Sequence, residues 1–277
     1  MTAARRNLVL LLSPASLVGF AMAAATVTMA AISLQGATGA SGPSLSHYLD
    51  FFQDRYFLNA GLRTFLLSIT VTAVCLVCGY PVAWFLVHGP ARVRKAAFVI
   101  VLTPLLVSIV VRTLGWTILL GNEGVINHAM QALGLVDAPI ALMRSFWTVV
   151  AGMVHVFLPF MILSIASTLG SIDPSLPEAA ALLGANPAES FRSVTLPLSA
   201  QGIASGSIIV FCLSTGVFLT PLWLSRGSVS VMATVIKEQV LDQADAPSGA
   251  ATAVILTVAT LAVVASYNLL LRRYERR

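Results

Sequence analysis

Residues 171–197 read Ser171-Ile-Asp-Pro-Ser-Leu-Pro-Glu178-Ala-Ala-Ala-Leu-Leu-Gly184-Ala-Asn-Pro-Ala-Glu-Ser-Phe-Arg-Ser-Val-Thr-Leu196-Pro197, a punctuated stretch between two long apolar runs. Two short helices are encoded. Ser175-x-x-Glu178 predicts a capping box, in which serine oxygen and glutamate carboxylate satisfy backbone donors reciprocally. Gly184 suits the left-handed residue just past a helix end. Asn186 then caps a second helix, with Pro187 in the first helical position and Glu189 completing a second box. Pro197 limits how far that helix runs. Ala188, Phe191 and Val194 fall on one face. Such a segment can lie at a lipid interface as a connector. Two capped helices joined by a sharp turn instead make a protrusion that fits a groove in a partner.

The flanking runs set the class. Of 277 residues, 57% are hydrophobic and 10% charged. A soluble domain carries about 25% charged residues, so this chain cannot cover a water-facing surface. The apolar residues form six blocks, at about 8–34, 62–87, 96–120, 146–169, 200–224 and 249–271. Each is long enough to cross a hydrocarbon core as a helix, and lipid leaves the backbone no other partner. The reading is an all-α membrane protein of six transmembrane helices. Pro14, Pro81, Pro104 and Pro159 fall within spans and predict kinks. Arg5 and Arg6 precede the first run as in a signal peptide, but the run is too long for one and reads as a retained anchor.

With a cytoplasmic N-terminus, ten basic residues lie inside (Arg5, Arg6, Arg92, Arg94, Lys95, Arg192, Arg272, Arg273, Arg276, Arg277) and five outside (Arg55, Arg63, Arg144, Arg226, Lys237). The bias puts both termini in the cytoplasm, as six spans require, and 170–199 with them. The net charge of +5 is thereby assigned to membrane orientation rather than nucleic acid.

No G-x-x-x-x-G-K-[ST] occurs, so nucleotide must be bound elsewhere. The four histidines and three cysteines form no metal-ligand cluster. Cys75 and Cys78 sit in an apolar run and read as small hydrophobes rather than a redox pair. No acid/base pair stands in a catalytic setting, and an enzyme is not expected. A secondary transporter would carry titratable groups at depth, yet no acidic residue falls inside the six spans.

Glu178-Ala179-Ala180, three residues, Gly184, nine residues, Val194, one residue, Leu196-Pro197 resembles the EAA loop of binding-protein-dependent ABC importer permeases (type I), with Val194 where the family usually has Ile. Gly79-Tyr80-Pro81-Val82-Ala83, Arg112-Thr-Leu-Gly-Trp116 and His155-Val-Phe-Leu-Pro159 look like the spermidine/putrescine-type permeases, which carry Asn where this chain has Arg63. The resemblance implies a single transmembrane permease domain over 1–277 in the bacterial inner membrane, passing a polyamine or similar solute. An anion or phosphonate is the alternative. It also implies a dimer of ABC ATPases that binds ATP and magnesium, a second and different permease chain, and an extracytoplasmic solute-binding protein. No cofactor in this chain and no nucleic acid are implied. Carried over, Glu178, Ala179, Ala180, Gly184, Leu196 and Pro197 form the ATPase-coupling helix.

Path residues are expected among the charges at depth. Arg112 lies within the third span, where a charge must face the bundle interior or water. It is expected either to line the outer pathway, paired with a carboxylate, or to form a fixed internal ion pair. Trp116 shares its face and can stack on it. His155, one turn before Pro159, bonds a freed carbonyl or contacts solute. Outside, Val125, Ile126, Ala129, Met130 and Leu133 mark one amphipathic face, and Met232, Val235, Ile236 and Gln239 another. Both are expected at the outer interface, contributing with Glu238 and Asp242 to a binding-protein platform. The outer segments hold seven acidic against five basic residues, which suits a cationic solute.

Overall fold

Among the described residues every regular element is helical: α1 Ala3–Ser33, α2 Ser46–Gln53, α3 Arg55–His88, α4 Ala91–Leu106, α5 Ile109–Leu120, α6 Val125–Ala132, α7 Phe146–Leu169, α8 Ser175–Leu182, α9 Pro187–Ser190, α10 Leu196–Leu198, α11 Ala200–Gly216, α12 Leu219–Ser225, α13 Met232–Lys237 and α14 Ala246–Glu275. π-helical turns fill Phe191–Thr195 and Glu238–Asp242. The computed structural model describes residues 3–35 and 44–275, with side chains over 16–35 and 44–271. Arg5, Arg6, Arg272, Arg273, Arg276 and Arg277, which weigh in the orientation count, lie outside the described side chains.

Among the described residues five stretches are long and apolar enough to cross a membrane: Ser16–Ser33, Arg55–His88, Ile109–Ala132, Phe146–Leu169 and Ala246–Leu271. A sixth is the pair Pro187–Leu198 and Ala200–Gly216, bent by 58°. Two runs expected as single helices are broken. The third splits into α4 and α5 at Val107 and Ser108, just after Pro104 withdraws a donor from the last turn of α4. The fifth ends at Val217, whose extended backbone (ψ 125°) lies four residues before Pro221, where the proline ring would strike its carbonyl in a continuous helix. Pro81 and Pro159 sit within unbroken helices.

The chain forms two compact units, Met1–Asn59 with Val235–Ala259, and Ala60–Thr234 with Thr260–Arg277. In the first, the Ser33 and Tyr48 hydroxyls meet at 2.7 Å, His47 Nδ1 meets Ser248 Oγ at 2.9 Å, and buried Thr252 donates to Gln239 Oε1 at 2.9 Å.

In the second, α7 is the central post, with Val149, Met153, Met161, Ile162 and Ile165 essentially inaccessible. Lipid offers helices little hydrophobic reason to associate, so contact depends on close backbone approach through small residues. A methyl on Gly206 of α11 would lie 2.8 Å from Met161 Sδ, and one on Gly202 would lie 2.6 Å from Thr168 Oγ1 and 3.0 Å from the Ser164 carbonyl. The Ser164 hydroxyl joins the same seam, 2.7 Å from Ser205 Oγ. Gly79 of α3 closes on α7 in the same way, 3.2 Å from Met161 Cγ by that measure. This accounts for the glycine of the Gly79–Ala83 motif.

Of the two outer amphipathic stretches, the second differs from expectation. Met232, Val235 and Gln239 are buried in protein, not laid on an interface. The Met232 N–H donates to buried Thr64 Oγ1 at 2.8 Å. In α6 the buried residue is polar: Asn127 donates to the Gly121 and Ile140 carbonyls and accepts from Ile140 N–H, all near 3.0 Å, while Val125 and Leu133 stay exposed.

Gly202→Leu is expected to lower stability by roughly 1–3 kcal/mol through overpacking. Gly115→Leu, where nothing lies within 4 Å, is the matched control. Thermal unfolding of the detergent-purified chain should separate the two.

Candidate functional site

The stretch 170–199 folds as a two-helix protrusion, with one change from expectation. Ser175 is the first helical residue rather than a cap, and its N–H donates to Asp173 Oδ1 at 2.9 Å. Asp173-Pro174-Ser175 places the carboxylate two residues back, where Pro174 fixes the turn (φ −58°). Glu178 is therefore not spent on a capping box and stands exposed in the first turn of α8. The Ser175 backbone and side-chain hydrogen bonds hold the Asp173 carboxyl below its ordinary value. Its support of the α8 start is thus complete above that ordinary value and lost as pH falls through the lowered one.

At the other end, Gly184 N–H donates to the Ala181 carbonyl and Ala185 N–H to the Ala180 carbonyl, at 3.0 and 3.1 Å. This is a Schellman closure, for which Gly184 adopts φ +91°. The turn leaves Leu182 and Leu183 each 90% exposed at the tip, beside exposed Glu178 and Ala179 and half-buried Ala180. The second box forms as expected: Glu189 N–H donates to Asn186 Oδ1 at 2.9 Å, and Asn186 N–H to Glu189 Oε2 at 2.8 Å. From Pro187 the chain runs on through the π turn, whose Leu196 N–H reaches back to the Phe191 carbonyl. A π turn shifts the hydrogen-bond register just before Pro197, which has no N–H to give. Leu196 and Pro197 are both exposed.

Aromatic contacts tie the protrusion to α3. Phe191 presents an edge to Tyr80 (centroids 5.7 Å, 90°) and to Trp84 (5.9 Å, 77°), and the Tyr80 and Ser199 hydroxyls lie 3.0 Å apart. Tyr80 and Trp84 were not legible as partners of the loop. Their sequence separation from it is large, and only Tyr80 fell within a motif.

Arg112, Trp116 and His155 do come together, in an arrangement other than the expected one. Arg112 Nη2 donates to the carbonyls of Pro104 and Val107, the latter at 2.6 Å. These belong to the end of α4, so the guanidinium caps a helix C-terminus, where backbone dipoles favour a cation. No carboxylate pairs with it among the described residues. Trp116 Nε1 donates to His155 Nδ1 at 3.1 Å, with the rings edge to face at 5.8 Å, so His155 takes an indole rather than a freed carbonyl. Arg112, His155, Pro104 and Pro159 share a largely apolar cleft of about 730 Å³ between α4 and α7.

The chain is a polytopic helical bundle carrying a capped, exposed protrusion. Residues 75–277 match the family described as binding-protein-dependent transport system inner membrane component, and the chain belongs to that family. It is 33% identical over 215 residues, 78% of each chain, to the spermidine/putrescine transport system permease protein PotB of Escherichia coli (strain K12). The Haemophilus influenzae protein of that name is 30% identical over 233 residues, 83% of this chain and 81% of that one. Among solved structures, a chain of a bacterial alginate ABC transporter, in complex with an alginate pentasaccharide-bound periplasmic protein, superposes with TM-score 0.79 over 98% of this chain and 96% of that one. At 21% identity it shows the fold. The chain is thus a multi-pass inner-membrane permease.

Arg112→Met is expected to destabilise the α4–α5 break by about 1–2 kcal/mol, the range for hydrogen bonds between membrane helices. Arg112→Lys should recover part of it, read as Tm of the purified chain. Asn186→Ala should cost about 1 kcal/mol of local helix stability, seen as faster hydrogen exchange confined to 186–195.

Proposed function

We propose that this chain is the permease subunit of an ATP-driven importer, with both termini cytoplasmic and 170–199 seated on an ATPase. The observation that carries the reading is the doubly capped protrusion, whose apolar tip at Leu182 and Leu183 is about as exposed as a side chain can be. Such residues need a partner surface. Glu178 offers a free carboxylate to a basic partner, Ala179 and Ala180 allow close approach, and Gly184 makes the turn. Leu196 and Pro197 lie where the protrusion joins α11.

Transmission follows from the anchors. Displacement of the protrusion acts on α3 through Phe191 against Tyr80 and Trp84, and on α11 through the helix it continues into. Both helices pack on α7, so the bundle swings as a body, giving alternating access. ATP and magnesium are held by the ATPase dimer. A second permease, a different chain, completes the path, and an extracytoplasmic binding protein delivers the solute.

Similarity to permeases named for spermidine and putrescine supports a polyamine-like solute. A second reading, an anion or phosphonate, is favoured by Arg112 and His155 lining the cleft with no acidic side chain among its lining residues. Import competition between spermidine and 2-aminoethylphosphonate distinguishes the two.

The chain should co-purify with an ATPase stimulated by a loaded binding protein, and Glu178→Arg should lose that coupling or the assembly. Absence of an associated ATPase, or a normal Glu178→Arg variant, would sink the coupling assignment.

A further inference from the structure

Three arginines from distant segments gather at one turn. Arg144, just before the Ser145 cap of α7, has φ +70°, and Arg226, at the end of α12, has φ +48°. L residues enter the left-handed region against steric resistance, and glycine or asparagine are its usual occupants. Arginine is therefore held in both places by what surrounds it. The Arg144 N–H donates to the Leu224 carbonyl at 3.1 Å, and the Ser228 hydroxyl lies 2.8 Å from the carbonyls of both Arg144 and Ser225. Arg63, the residue that departs from the family pattern, reaches the Ser228 carbonyl with Nη1 at 3.4 Å.

Arg144 and Arg226 line a cleft of about 540 Å³ with Thr117, Asn122 and Glu123. Among the described residues neither guanidinium has a hydrogen-bond or ion-pair partner, although Glu123 lines the same cleft; the one ion pair is Lys237–Asp242. Within the cleft two arginines face one glutamate, a net charge of one positive, and Arg63 adds a further positive charge at the adjoining Ser228 turn. Guanidinium forks on a fixed backbone match a carboxylate in geometry as well as charge.

We propose that Arg144 and Arg226, backed by Arg63, form a socket for an acidic side chain of the extracytoplasmic solute-binding protein. The assignment rests on the topology of the proposed function, which puts Arg144 and Arg226 on the outer side of the membrane. A polyamine passing this point would be repelled by the same charges. That makes the socket a docking element rather than a solute site, and fixed arginines at a mouth speed encounter with an acidic partner.

The test uses the assembled importer in lipid nanodiscs, titrated with its solute-loaded binding protein while ATP hydrolysis is followed. Arg144→Ala and Arg226→Ala are expected to raise the half-stimulating concentration at least tenfold. Arg226→Lys should recover part of it, and Arg55→Ala should stay within twofold of wild type. Arg226→Gly removes the charge and relieves the backbone, so the same rise there is not a folding defect. The wild-type value should climb with ionic strength and that of the double variant should not. A Glu→Arg or Asp→Arg change on the binding protein that rescues Arg226→Glu would identify the partner carboxylate. An unchanged half-stimulating concentration in assembled variants overturns the socket and leaves the importer reading standing. So does an effect seen only as altered dependence on anionic lipid, or only as altered solute preference at saturating binding protein. If no ATPase co-purifies with wild type, both fall.

Discussion

A carbonyl freed inside a membrane has no water to turn to, so a donor must come from the protein itself. The second unit is organised around that demand. Pro104 loosens α4, the chain leaves the helix at Val107, and Arg112 closes the end by donating to the carbonyls of Pro104 and Val107. Thr64, Thr72, Thr113 and Thr117 return their hydroxyl protons to carbonyls one turn back, so that these four side chains are satisfied within their own helices. At depth, polar groups here act first as structure. An arginine that reads as a path residue in sequence is, in three dimensions, also the cap that makes a broken helix tolerable.

The same economy governs the protrusion. Its two helices are too short to persist alone, and hold because each end is closed: Asp173 on Ser175, the Schellman turn at Gly184, and the reciprocal Asn186–Glu189 pair. Phe191 then wedges the second helix between Tyr80 and Trp84. The result is a two-helix element closed at its ends, with an apolar tip, joined to the helices that pack on α7.

Sequence by itself determined the all-helical membrane class, the apolar runs that supply five spans or, with the bent pair, six, and the helix–turn–helix character of 170–199. These depend on local quantities: apolar run length, caps, and the special backbone freedom of glycine and proline. The run at 96–120 is instead broken, and Ile109–Ala132 is the stretch able to cross. Asn186-x-x-Glu189 and Gly184 were legible because a cap is made by neighbours in the chain. Ser175-x-x-Glu178 misled because Asp173, two residues upstream, reaches the same donor first.

Tertiary structure alone decided which partner each polar group took. Nothing in the spacing says that Trp116 meets His155 across 39 positions, that Tyr80 meets Ser199 across 119, or that Arg63 meets Ser228 across 165. Nor does periodicity distinguish a face buried against protein, such as Met232 and Val235, from one laid on lipid, since both are apolar at helical spacing. The physical reason is common to all of these. A hydrophobic pattern records that a side chain avoids water, and only the packed bundle decides what it meets instead.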